Sequence, residues 1–135
     1  MIERIKQDVD RLIATPFNDT ARLQTLLGSE LGAPAEQDGW RTQTAATGNF
    51  AGVPVHDITL RSSIDGQGTS VLLLSFDEGG IPFDGAQWAG ATPNPPRPES
   101  PSSSAYWEVH KGDATIVLGM DNSQQHLVQL SIRKH

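Results

Sequence analysis

The chain has 135 residues, a formal net charge of −6 and no cysteine. That length suits one domain able to bury roughly two-thirds of its unfolded-chain surface, and the missing cysteine excludes disulfides and thiolate chemistry. With 36% hydrophobic and 19% charged residues, and no apolar run near the roughly 18–20 residues a membrane-crossing helix needs, the composition predicts a folded cytoplasmic protein.

Ile5, Val9, Leu12 and Ile13 follow Ile2 at helical spacing, so residues 2–14 are expected to form an amphipathic helix. Pro16 ends it, because a residue before proline is pushed out of the α region. Asn18 or Asp19 can cap a second helix whose buried stripe is Leu23, Leu26 and Leu27, with Gly28 and Gly32 as candidate stops. From Trp40 the period becomes strand-like. Strands are expected near 40–46, 53–62 and 70–76, with a turn beginning at Gly48-Asn49 and a hairpin at residues 65–68. Val53 and Val55 have opposite parity to Ile58 and Leu60. One extra residue near His56-Asp57 restores all four to one face, which predicts a β-bulge there. Val71, Leu72, Leu73 and Leu74 are apolar on both parities, as in a central strand covered on both faces.

Residues 77–104 form a long Pro/Gly/Ser-rich loop, well beyond the roughly 12–15 residues that a structureless connection usually reaches. It carries Ile81, Phe83 and Trp88, which a plain linker would not need. Prolines 93, 95, 96, 98 and 101 suggest a stiff, polyproline-like arm. Three further strands follow near 105–110, 114–119 and 127–133, the last with Val128, Leu130 and Ile132 inward. Trp40 and Trp107 alternate within strands and are expected in the core. The fold class expected is α+β in a single domain (1–135). Two N-terminal helices (within 1–32) lie on one face of a mainly antiparallel, roughly six-stranded sheet. The long loop divides that sheet into a first part (40–76) and a second (105–135).

The acidic excess is localised. Residues 1–39 hold seven acids against four bases, and residues 77–104 hold four against one, while the remaining segments balance. No basic stripe exists for a phosphate backbone, which argues against nucleic-acid binding. The acidic surface would steer a basic protein partner. Within the loop, Asp77, Glu78, Phe83, Asp84 and Trp88 are the candidate partner-binding residues, with the two aromatics either pinning the loop to the sheet or standing out as anchors.

Chemical motifs are weaker. No serine sits in a nucleophile elbow, and His56-Asp57 or His110 has no spacing that demands a catalytic triad. His56, Asp57, His110 and His126 lack metal-site spacing, so neither metal nor cofactor is expected. Gly66-Gln67-Gly68 joins two strands and precedes no helix, so it is a turn and not a phosphate loop. Glu108 and His110 share a strand face and, with Tyr106, form a candidate pocket for an acid/base pair.

A helix ending in Leu26-Leu27-Gly28, then Leu31-Gly32-Ala33-Pro34, a spacer and Trp40 before an antiparallel sheet resembles small bacterial toxin-immunity proteins. The resemblance implies a non-enzymatic inhibitor that binds a cognate toxin; it assigns no contact residues. Two other readings stay open beside it. One is a small-molecule or hydrolytic pocket between sheet and loop, and the other is an adaptor-like homodimer paired through an edge strand.

Overall fold

The computed structural model describes residues 2–17, 19–64, 69–77, 80–84, 86, 88–94, 105–121 and 123–134, the side chain of Ile2 excepted. Asn18, Glu78, the turn residues 65–68 and the Pro/Ser-rich stretch 95–104 lie outside that set.

Helix α1 (Ile2–Ala14) buries Ile5, Val9 and Leu12 along one face, the i, i+4, i+7 stripe its sequence dictates. Helix α2 (Thr20–Leu27) is capped by Asp19, whose side chain accepts from the Arg22 N–H at 3.3 Å. It stops at Gly28, which adopts the left-handed conformation and donates its N–H to the Gln24 carbonyl. Leu23 and Leu27 are buried and Leu26 packs at the margin of the core.

Among the described residues nine strands follow: β1 (Ala35–Gln37), β2 (Trp40–Phe50), β3 (Val53–Ser63), β4 (Ser70–Phe76), β5 (Ile81–Pro82), β6 (Thr92–Asn94), β7 (Tyr106–Lys111), β8 (Ala114–Met120) and β9 (His126–Lys134). All six expected strands are present, and the excess over six comes from three strands of two or three residues. The sheet is antiparallel throughout, in the order β1-β2-β3-β4-β9-β8-β7-β6, with β5 pairing β9 beyond the end of β4.

That order explains the long loop. The strand beside β4 is the last of the chain, so the polypeptide must pass β9, β8 and β7 to reach edge strand β6 before it enters β7. At about 4.8 Å per strand this is a traverse of roughly 19 Å. The loop is not structureless: its β5 pairs β9, and its β6 pairs β7, with Asn94 opposite Tyr106. Most of the expected polyproline-like arm falls on residues 95–104, outside the described residues. Pro93 lies in edge strand β6, where a missing N–H costs no central ladder bond.

Two irregularities set which side chains face the helices. The ladder between β3 and β4 slips between His56 and Thr59, and Asp57 takes a φ of +51°. The expected bulge is there, and Val55, Ile58 and Leu60 are all buried as a result. A second slip, between Gly119 and Met120 against β9, corrects the expected parity of that strand. Leu127 turns inward and Val128 is left half-exposed. The turn after β2 also differs from expectation. Gly48 and Asn49 remain in the strand, and Ala51 and Gly52, with φ of +54° and +77°, make the two-residue hairpin. Gly48 is needed for packing instead. A Cβ there would stand 2.7 Å from both the Leu27 carbonyl oxygen and Ile58 Cδ1. Its hydrogen is what lets α2 lie against β2.

One face of the sheet packs on the helices. Its core runs through Phe50, Val55, Leu72, Leu74, Phe76, Ile116, Leu118, Leu127, Leu130 and Ile132. Lys134 ties the last strand to the end of α1 by donating to the Thr15 carbonyl at 2.6 Å while lying 4.3 Å from the Phe17 ring centroid. The opposite face carries no helix among the described residues. β4 is thus covered on one side, not two. Val71 and Leu73 point to the uncovered side and are only half-buried.

Candidate functional site

The registers assemble the helix-free face in rows. Thr42, Arg61, Val71, Arg133, Thr115 and His110 lie across one row from β2 to β7. The next runs through Thr44, Thr59, Leu73, Ser131, Val117, Glu108 and Thr92. A third contains His56, Ser75, Gln129, Gly119 and Tyr106. Apolar side chains (Val71, Leu73, Val117) occupy the middle and are half-buried. Charged and polar ones surround them.

The loop candidates fall into two groups. Phe83 and Trp88 are buried, at 8% and 2% exposure, with ring centroids 6.4 Å apart and the Lys6 ammonium 5.7 Å from the Trp88 ring. The Phe83 N–H donates to the Gln125 carbonyl at 3.1 Å. These aromatics pin the loop to the sheet and to α1; they are not exposed anchors. Asp77 closes the start of the loop. Its carboxylate meets His56 Nδ1, its carbonyl accepts from the Gly80 N–H at 3.1 Å, and Asp57 stands 3.7 Å from the other imidazole nitrogen. Asp84 is exposed and accepts from the Ala86 N–H at 3.0 Å, a local turn. Glu78 lies outside the described residues.

Among the pocket candidates, Glu108 Oε1 approaches His110 Nε2 at 3.3 Å, and the Thr115 hydroxyl lies 3.4 Å from His110 Nδ1. The alternation of β7 dictates the first contact and the register with β8 the second. The His110 side chain is 68% exposed, so the pair stands open to water. Tyr106 is elsewhere. It lines a recess of about 330 Å³ with Pro93, Asn94, Ala105, Trp107, Met120 and Gln124, where the end of the loop meets the sheet.

The remaining histidine contact is at the β8–β9 turn. The Asp121 carboxylate accepts from Ser123 Oγ at 2.8 Å, from the N–H groups of Gln125 and His126 at 3.2 Å each, and lies 2.9 Å from His126 Nδ1. Partial desolvation raises its pKa, but these donors outweigh it and hold the group at about 2, below its ordinary 3.8. His56, His110 and His126 thus each stand beside separate acids, and among the described residues no group of three such side chains is placed to hold a metal ion.

Three residues of the helix-free face were not singled out by sequence as functional. Trp40, expected in the core, is half-exposed on this face, with the Arg61 guanidinium 4.8 Å from its ring centroid. Arg61 and Arg133 flank Val71 in one row. The signal for Arg61 was available: once the bulge at His56-Asp57 is accepted, odd positions after it must face away from Ile58 and Leu60. Trp107, by contrast, does pack against the core as expected. Comparison with protein-family models, curated proteins and solved structures finds no match.

Proposed function

We propose that the protein is a non-enzymatic binding module, of the immunity-inhibitor type, that engages a protein partner through the helix-free sheet face. The observation that carries this reading is the composition of that face. Half-buried Val71, Leu73 and Val117 occupy its centre, while Arg61, Arg133, Glu108, His110 and Gln129 stand around them. An apolar centre with a polar rim is the anatomy of a protein–protein contact. The loop's role shifts accordingly. Its buried aromatics pin the loop to the sheet and to α1, and its acids, Asp84 among the described ones, supply the charge that steers a basic partner.

The exposed Glu108–His110 pair favours a rim role over catalysis, because an acid/base pair open to water gains little from its neighbours. Edge pairing into a homodimer is disfavoured at β6, a three-residue edge strand that holds a proline. A second reading, a small-molecule pocket between loop and sheet, is favoured by the recess at Tyr106 alone.

Co-expression tests the first reading. If a toxin is encoded beside this chain, the wild-type protein protects cells from it, and Leu73→Glu or Val117→Glu abolishes protection while leaving the folded protein at normal levels. Protection that survives both substitutions would rule out the sheet face as the binding surface.

A further inference from the structure

At the β2 end of the helix-free face, Trp40, Arg61, Thr69, Val71 and Arg133 enclose a recess of about 290 Å³. We propose that it binds a carboxylate carried on a small organic body, a ligand class that the protein-binding reading does not require.

Three features converge on this. First, two guanidinium groups line one recess, placed there by the row Arg61–Val71–Arg133. Among the described residues no carboxylate forms an ion pair with either of them, although the chain as a whole carries 16 acids against 10 bases. Two cationic side chains on one recess favour an anion there. Second, Arg61 lies over the Trp40 ring at 4.8 Å from its centroid. A stacked guanidinium keeps its in-plane N–H donors free and gives up little further freedom when they engage a carboxylate with two parallel hydrogen bonds. Third, part of the lining is apolar. Val71 and Trp40 would gain nothing from a bare inorganic ion but do gain from an organic body, while the Thr69 hydroxyl offers one more donor. The volume, just under the roughly 300 Å³ at which small-molecule pockets begin, fits a single ring or one amino-acid side chain.

The carboxylate can come from a free small acid or from the end of a polypeptide. Titration of the full chain separates the two. Sodium benzoate and a short peptide with a free C-terminal carboxylate are added in turn, with benzyl alcohol and the amidated peptide as neutral counterparts. The Trp40 indole N–H is followed by NMR, and affinity is checked by calorimetry. Both carboxylates should shift Trp40 saturably and their neutral counterparts should not. Arg61→Gln and Arg133→Gln should each weaken binding by roughly tenfold or more, as loss of a charged hydrogen bond implies. Tighter binding of benzoate assigns the site to a free acid, and tighter binding of the peptide assigns it to a chain terminus. Both arginines are exposed, so neither substitution threatens the fold, and unchanged spectra elsewhere verify that. The proposal is overturned if neither carboxylate shifts Trp40 saturably, if the neutral counterparts bind equally well, or if affinity is unchanged in both arginine variants.

Discussion

Trp88 is the residue on which the loop's behaviour turns. Its indole is 2% exposed, and its Nε1–H has no hydrogen-bond partner among the described residues. Removal of the side chain empties a large volume between the loop and α1. Trp88→Ala is therefore expected to cost about 3–5 kcal/mol in urea denaturation. Trp88→Phe should cost much less. It keeps a ring near Phe83 and removes an N–H whose burial without a partner is itself unfavourable by about 1–3 kcal/mol. Equal costs for the two variants would mean that the indole nitrogen is satisfied. At the β8–β9 turn, Asp121 makes a pH prediction. Its folded-state pKa, about 2, lies below the ordinary 3.8, so its stabilisation is full above the unfolded value and is lost as pH falls from about 4 toward 2. Asp121→Asn should flatten the acid limb of a stability–pH curve in that window and leave its shape near neutrality unchanged. The orientation of the loop aromatics was not legible from sequence, because burial of Phe83 and Trp88 depends on α1 lying across the sheet, a contact between distant parts of the chain.

Elements were legible where a local period fixed them, and less so where a neighbour decided. Both helices follow from apolar spacing and from the Asp19 and Gly28 caps. The β3 bulge follows from a parity conflict between Val55 and Ile58, close neighbours in sequence. The β9 bulge did not, since Leu127-Val128 offers apolar residues on both parities and only the pairing with Met120 selects Leu127. Gly48 is similar. By sequence it is a turn glycine; by structure it is a mid-strand residue whose hydrogen admits the last turn of α2. Gly48→Ala is expected to cost about 1–3 kcal/mol through overpacking, with loss of hydrogen-exchange protection concentrated in α2. A thermal shift without any change in α2 would show that the helix can move away from β2. Gly80 makes a sharper case. Its φ is +94° and a Cβ would stand 2.4 Å from the Leu127 carbonyl oxygen, so Gly80→Ala should release β5 from β9 as well as destabilise the whole.

For the whole molecule, the decisive fact is the strand order. Placing β9 beside β4 leaves the loop to cross the sheet, seals one face under the helices and leaves the other as a broad surface with an apolar centre. That order is set by pairing between residues far apart in the chain, such as Leu72 with Ile132, which no local pattern encodes. The α+β class, the antiparallel pairing and the central position of β4 were readable. Its covering was not, because a Val-Leu-Leu-Leu run looks alike whether its second face meets a helix, a partner or water. In the proposed function, a partner completes that second face. Calorimetric titration of the purified wild-type chain and of Leu73→Glu with the product of an adjacent toxin gene tests this most directly. Binding by the wild type is predicted, weakened by at least about 2 kcal/mol in Leu73→Glu as for a central contact residue. Undiminished affinity in Leu73→Glu would contradict a partner seated on the sheet face.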